Sequence, residues 1–95
     1  MKTKIFVVVS YDIPDDKRRT NVAKLMLRFG DRVQFSVFEC NVEEKEFLIM
    51  LKKLEKAVFP KEDSVRIYVL CKECVSRIRI IGIGKVQEDP DLVIV

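Results

Sequence analysis

The sequence contains no histidine. That excludes imidazole acid–base chemistry, a Ser-His-Asp triad and any His-ligated metal. Chemistry in this chain must use carboxylates, cations, hydroxyls, thiols or a metal-bound water. Cysteines are few and odd in number (Cys40, Cys71, Cys74), which fits a reduced, cytoplasmic protein better than a disulfide framework. Long hydrophobic runs are missing too. The apolar run after Lys2 and Lys4 stops at Ser10, too short for a signal-peptide core. No stretch approaches a membrane span, so no membrane association is expected. Repeats, low-complexity segments and an interdomain linker are also absent. The 95 residues therefore suggest one small domain, short enough that oligomerisation is expected to help bury its surface.

What is present is an uneven charge distribution. The net charge is only +3, but six cations (Lys17, Arg18, Arg19, Lys24, Arg28, Arg32) fall between positions 17 and 32 against one acid, Asp31. They follow the stretch Tyr11-Asp12-Ile13-Pro14-Asp15-Asp16, which joins an apolar strand over 3–12 to a helix over 15–29. Ile13-Pro14 breaks the strand, and Asp15 or Asp16 can cap the helix. Val22, Leu25, Met26 and Phe29 have the spacing of a buried stripe, with Gly30 suited to the residue after the helix. Lys17, Asn21, Lys24 and Arg28 share another face. The plainer meaning of such a face is solvation. The carboxylate of Asp12 beside these cations points instead to a hard metal ion next to phosphate.

Residues 32–41 are strand-like, with Val33, Phe35 and Val37 alternating with Gln34, Ser36 and Phe38. No Gly or Pro marks a hairpin, so one long strand and two short ones both stay open. Asn41 with Glu44 has the form of a capping box for a helix running to about Val58, whose stripe is Phe47, Met50, Leu51, Leu54 and Val58. Strands are expected at Ser64–Leu70 and Arg77–Ile81, with a turn at Cys71–Cys74 between them. Gly82-Ile83-Gly84-Lys85 lacks the spacing of a phosphate loop and reads as a turn. Cys71 and Cys74 are half a zinc site, a redox pair or, most simply, reduced thiols in a turn.

Helices interleaved with strands in this order predict an α+β ferredoxin-like β-α-β-β-α-β sandwich, both helices on one face of the sheet. The domain spans 1–82, and the tail 83–95, ending in Leu92-Val93-Ile94-Val95, is expected to supply an extra C-terminal strand at the dimer sheet edge. The first strand is apolar on both faces, and Phe38, Tyr68 and Leu70 are expected to point away from the helices. A symmetric homodimer, sheet to sheet, would cover that open face. Two copies of Asp12 near its dyad would repel unless a cation such as Mg2+, or Mn2+, neutralised them. The competing reading of Asp12 is a turn aspartate bonded to local amides.

Three blocks now carry a resemblance: Tyr11-Asp12-Ile13-Pro14-Asp15-Asp16-Lys17-Arg18-Arg19, Arg32-Val33-Gln34-Phe35-Ser36-Val37-Phe38-Glu39, and Asp63-Ser64-Val65-Arg66-Ile67-Tyr68 running into Cys71 and Cys74. In order, spacing and length the chain resembles the CRISPR-associated protein 2 family. The resemblance implies a homodimer that takes part in spacer acquisition, holds double-stranded DNA and bridges the CRISPR integrase. It also implies Mg-dependent endonuclease activity on RNA or DNA, in which Asp12 is the metal-binding and catalytic residue. Tyr11, Arg19, Arg32 and Phe38 match positions linked to activity or substrate contact. Asn21 stands where some members have arginine. Lys17 and Arg18 carry general electrostatics, Lys24 and Arg28 add to the phosphate-binding face, and Ser36 offers a hydroxyl contact. Tyr11, Phe38 and Ser36 are equally candidates for the sheet or dimer interface. An adaptor, a metal-dependent phosphodiesterase and a toxin-like ribonuclease are the competing functions.

Overall fold

A computed structural model describes residues 3–86. The order is β1 (Lys4–Asp12), α1 (Asp16–Met26), β2 (Asp31–Gln34), β3 (Val37–Glu43), α2 (Glu44–Ala57), β4 (Ser64–Leu70) and a short α3 (Lys72–Ser76). The four strands form one antiparallel sheet in the order β2-β3-β1-β4. This is the expected ferredoxin-like arrangement. The extra strand expected in the tail lies mainly outside the described residues.

β1 is central because it can be covered on both sides. Val7, Val9 and Tyr11 belong to the core with Phe38, Cys40 and Val42 of β3, Val22 and Met26 of α1, and Met50 and Leu54 of α2. The pairing Val9↔Phe38 and Val7↔Cys40 puts these side chains on one face, beneath the helices. Phe6 lies on the other face, yet it is buried, as is Val75 of α3. The segment after β4 therefore helps cover the side of the sheet that α1 and α2 leave open.

The structure decides one open point and corrects several expectations. Residues 32–41 form two strands, joined through Phe35 and Ser36 and carrying an irregularity between Arg32 and Gln34. The register of β3 on β1 reverses the expected phase. Phe38 does not point away from the helices; it is fully buried under them, while Val37 takes the opposite face and Phe35 is exposed at the hairpin tip. The capping box of α2 is Glu43 with Glu46, because Asn41 is still paired to Phe6 in the sheet. Arg77–Ile81 is not a strand. Arg77 closes α3, which occupies the expected turn at Cys71–Cys74. Helix α1 ends at Met26, and Gly30 is not in the left-handed region. Its backbone passes so close to β3 that a Cβ would sit 2.3 Å from the Glu39 carbonyl oxygen.

Candidate functional site

The stretch between β1 and α1 builds the site. Ile13 is buried in the core, and Pro14 holds the preceding residue out of helical conformation. Asp15 then caps α1, its carboxylate accepting from the Arg18 backbone N–H at 2.8 Å. Arg19 folds back over the turn. It donates to the Ile13 carbonyl at 2.9 Å and pairs with Asp16. Arg32 reaches in from β2, donating to the Phe35 carbonyl at 2.9 and 2.6 Å with its guanidinium over the Phe35 ring.

Arg19 and Arg32 both act on Tyr11 through their charge. Burial pushes the Tyr11 hydroxyl above its ordinary pKa, and the positive fields of Arg32 and Arg19 oppose that rise. The Tyr11 ring stacks on Phe38 at 6.3 Å between centroids, and its hydroxyl has no hydrogen-bond partner among the described residues. Three residues 8 to 21 positions apart in sequence thus share one neighbourhood. Asp12 is not in it. As the next residue along β1 it points to the opposite face, where it is exposed, opposite Ser64 of β4. Ser36 stays close by a different route: its carbonyl accepts the Tyr11 N–H at 3.1 Å, so its described contact is main-chain.

The remaining cations divide in two. Lys17 and Lys24 are exposed on α1 together with Asn21, and Arg28 is exposed in the turn that follows it. Arg18 is held elsewhere. Its guanidinium bonds both oxygens of Asp63, at 2.9 and 3.1 Å, and Glu62 at 2.9 Å, and lies 5.6 Å over the Phe59 ring. Asp63 has no exposed side-chain surface and also accepts the Phe59 N–H at 2.8 Å. Arg18 holds the Asp63 carboxyl below the usual carboxylate range, and Asp63 above all raises Arg18. Sequence reasoning assigned Asp63 no role. Its signal was proximity to β4 within the third block, and only the fold brings α1 against that loop.

A metal ion finds little support within one chain. Asp12 offers one carboxylate, and among the described residues no group of three His, Cys, Asp or Glu side chains could hold an ion. The donors fit a metal only if a second chain contributes its own. A cleft of about 710 Å3 does exist between the β2–β3 hairpin and residues 78–85, lined by Asp31, Arg32, Glu39 and Lys85 among others. Asp12 does not line it.

The order of strands, the acid at the end of β1 and the arginines behind it can now be set beside known proteins. A family model described as CRISPR associated protein Cas2 matches residues 5–78. The chain belongs to the Cas2 family. A relative from Chloroflexus aurantiacus, named CRISPR-associated endoribonuclease Cas2 3, is 45% identical, the match covering 92% of this chain and 94% of that one. An endoribonuclease Cas2 from Thermus thermophilus is 40% identical over 95% of this chain and 98% of its own. Among solved structures, Cas2 from Streptococcus pyogenes superposes with a TM-score of 0.72 at 39% identity, covering 81% of this chain and 99% of that one. A chain of a partial Cas6-RT-Cas1–Cas2 complex matches with a TM-score of 0.69 at 26% identity, covering 81% and 90%. Among the described residues, no helix is long and apolar enough to cross a membrane.

Proposed function

We propose that this chain is a homodimeric subunit of the CRISPR spacer-acquisition machinery, binding duplex DNA and docking the integrase. The observation that carries this reading is the Cas2 fold shared with a chain of an assembly that contains Cas1. Features of the sheet support the dimer. Glu39 Oε1 and the Asn41 amide are buried without partners among the described residues, on the face turned from α1 and α2. Tyr68, on that same face, is 47% exposed. An aromatic left exposed on the sheet is what a face completed by a second chain would leave.

For DNA, the exposed Lys17, Lys24 and Arg28 supply mobile charge to phosphates, which fix position without reading sequence. Arg19 and Arg32 are the better-ordered donors, and Arg18 chiefly locks α1 to the β4 loop. A dimer would present each group twice, suited to a duplex, and a cytoplasmic location belongs to the same reading.

A second reading is favoured by the relatives named endoribonuclease. In it, Asp12 from each chain would hold Mg2+ or Mn2+, which when bound would polarise a phosphodiester and supply hydroxide. The chain's own part would be to present the carboxylates at the ends of the two β1 strands. The deciding experiment is reconstituted spacer integration with wild type and Asp12→Asn, both first shown dimeric by size exclusion. The adaptor reading expects full integration by the variant. Lost integration with dimer and DNA binding intact would place Asp12 in the chemistry and move the enzyme reading first.

A further inference from the structure

Cys71 and Cys74 take no part in the proposed DNA or metal chemistry, and their geometry is specific. Both thiols are free and exposed, with their sulfurs 3.3 Å apart. The Cys74 backbone N–H donates to Cys71 Sγ at 3.4 Å, and the two thiols lie within hydrogen-bond contact of each other. Cys40, the third thiol, is buried in the core and takes no part.

We propose that Cys71 and Cys74 are a thiol–disulfide exchange site, with Cys71 the attacking thiol and Cys74 the resolving one, acting on small-molecule disulfides. The Cys71 thiolate attacks one sulfur of RSSR, forming a mixed disulfide and expelling RS−. Cys74 then loses its proton and attacks Cys71 Sγ, expelling the second RS−. The protein loses two electrons and two protons to become an intramolecular disulfide, and RSSR is reduced to two thiols. The asymmetry agrees with the surroundings: hydrogen bonds, those from Cys74 foremost, hold Cys71 below the ordinary thiol pKa, whereas bonding to Cys71 raises Cys74. The ring would close over the first turn of α3, directly before the buried Val75.

The test treats reduced, folded protein with oxidised glutathione at neutral pH and follows intact mass, with peptide mapping. Wild type should lose the mass of two hydrogens, with the bridge mapped to Cys71–Cys74 and Cys40 still alkylatable after unfolding. Cys74→Ser should instead retain one glutathionyl group on Cys71, and Cys71→Ser should react several-fold more slowly. Wild type that stops at a mixed disulfide, or shows no change, would overturn the proposal. So would equal reactivity of the two serine variants, which would remove the assigned roles. The wild-type measurement stands even if a variant fails to fold.

Discussion

Replacing Gly30 with alanine tests whether the approach of the α1–β2 turn to β3 holds the site together. The added Cβ would lie 2.3 Å from Glu39 O, 2.5 Å from Cys40 Sγ and 2.9 Å from Cys40 Cα, against an ordinary contact of 3.4 Å or more. The Cys40 sulfur could turn aside. The carbonyl oxygen and the Cα are backbone of β3, which pairs with β1 on one side and β2 on the other. Relief requires a shift of about 1 Å between the turn and that strand, breaking ladder geometry or lifting β2 away. Overpacking of this kind costs about 3 kcal/mol, the upper end of its usual range, because backbone and not a side chain must yield. Against a total stability of about 5–15 kcal/mol, this lowers the urea midpoint by about 2 M and Tm by about 15 °C. Equilibrium urea unfolding compares Gly30→Ala with Asn21→Ala, an exposed control expected to change stability by less than about 0.5 kcal/mol. A loss for Gly30→Ala no larger than the control's would refute the reasoning. Because β2 carries Arg32, weakened DNA binding should accompany the loss.

Other outcomes are open to direct measurement. The Asp63 carboxyl titrates lower folded than unfolded, so its pairing with Arg18 stabilises fully above the unfolded value near 3.9 and is lost as pH falls through the folded one. Asp63→Asn should therefore lower stability at neutral pH and flatten its decline in acid, as read from Tm between pH 2 and 6, roughly the carboxylate range. Burial pushes the Cys40 thiol up to about 12, so iodoacetamide should spare Cys40 in folded protein at neutral pH and modify it once urea is added. For duplex DNA, log K should fall steeply with log salt. Lys24→Gln with Arg28→Gln should reduce the slope by about 0.9 for each phosphate contact removed, with fluorescence anisotropy as the readout.

Much of this molecule could be read from local pattern. The α1 and α2 stripes and the alternation of Ser64–Leu70 follow from periods of 3.6 and 2, which a residue's neighbours in sequence suffice to set. An acidic cap after Pro14 was legible as Asp15 or Asp16, and the structure selects Asp15. The strand pattern at Arg77–Ile81 misled because alternation also occurs in chain that finds no partner strand. The phase of residues 32–41 was hidden for a related reason. Which face of β3 turns inward is set by its register on β1, where Phe38 lies opposite the buried Val9 and Val37 opposite Ser10.

The candidate site divides the same way. Sequence by itself determined which residues carry the chemistry: an acid ending β1, cations along α1 and a thiol pair after β4. It also determined that Tyr11 and Asp12 face opposite ways, since adjacent strand residues must. Tertiary structure alone decided their company. Packing α1 onto the sheet brings Arg19 to Tyr11 and seals Arg18 against Asp63, 45 positions away, the pairing of β2 with β3 adds Arg32, and Asp12 stays exposed on the far face. Contacts between distant residues depend on how the strands pair and the helices pack, which no local period encodes.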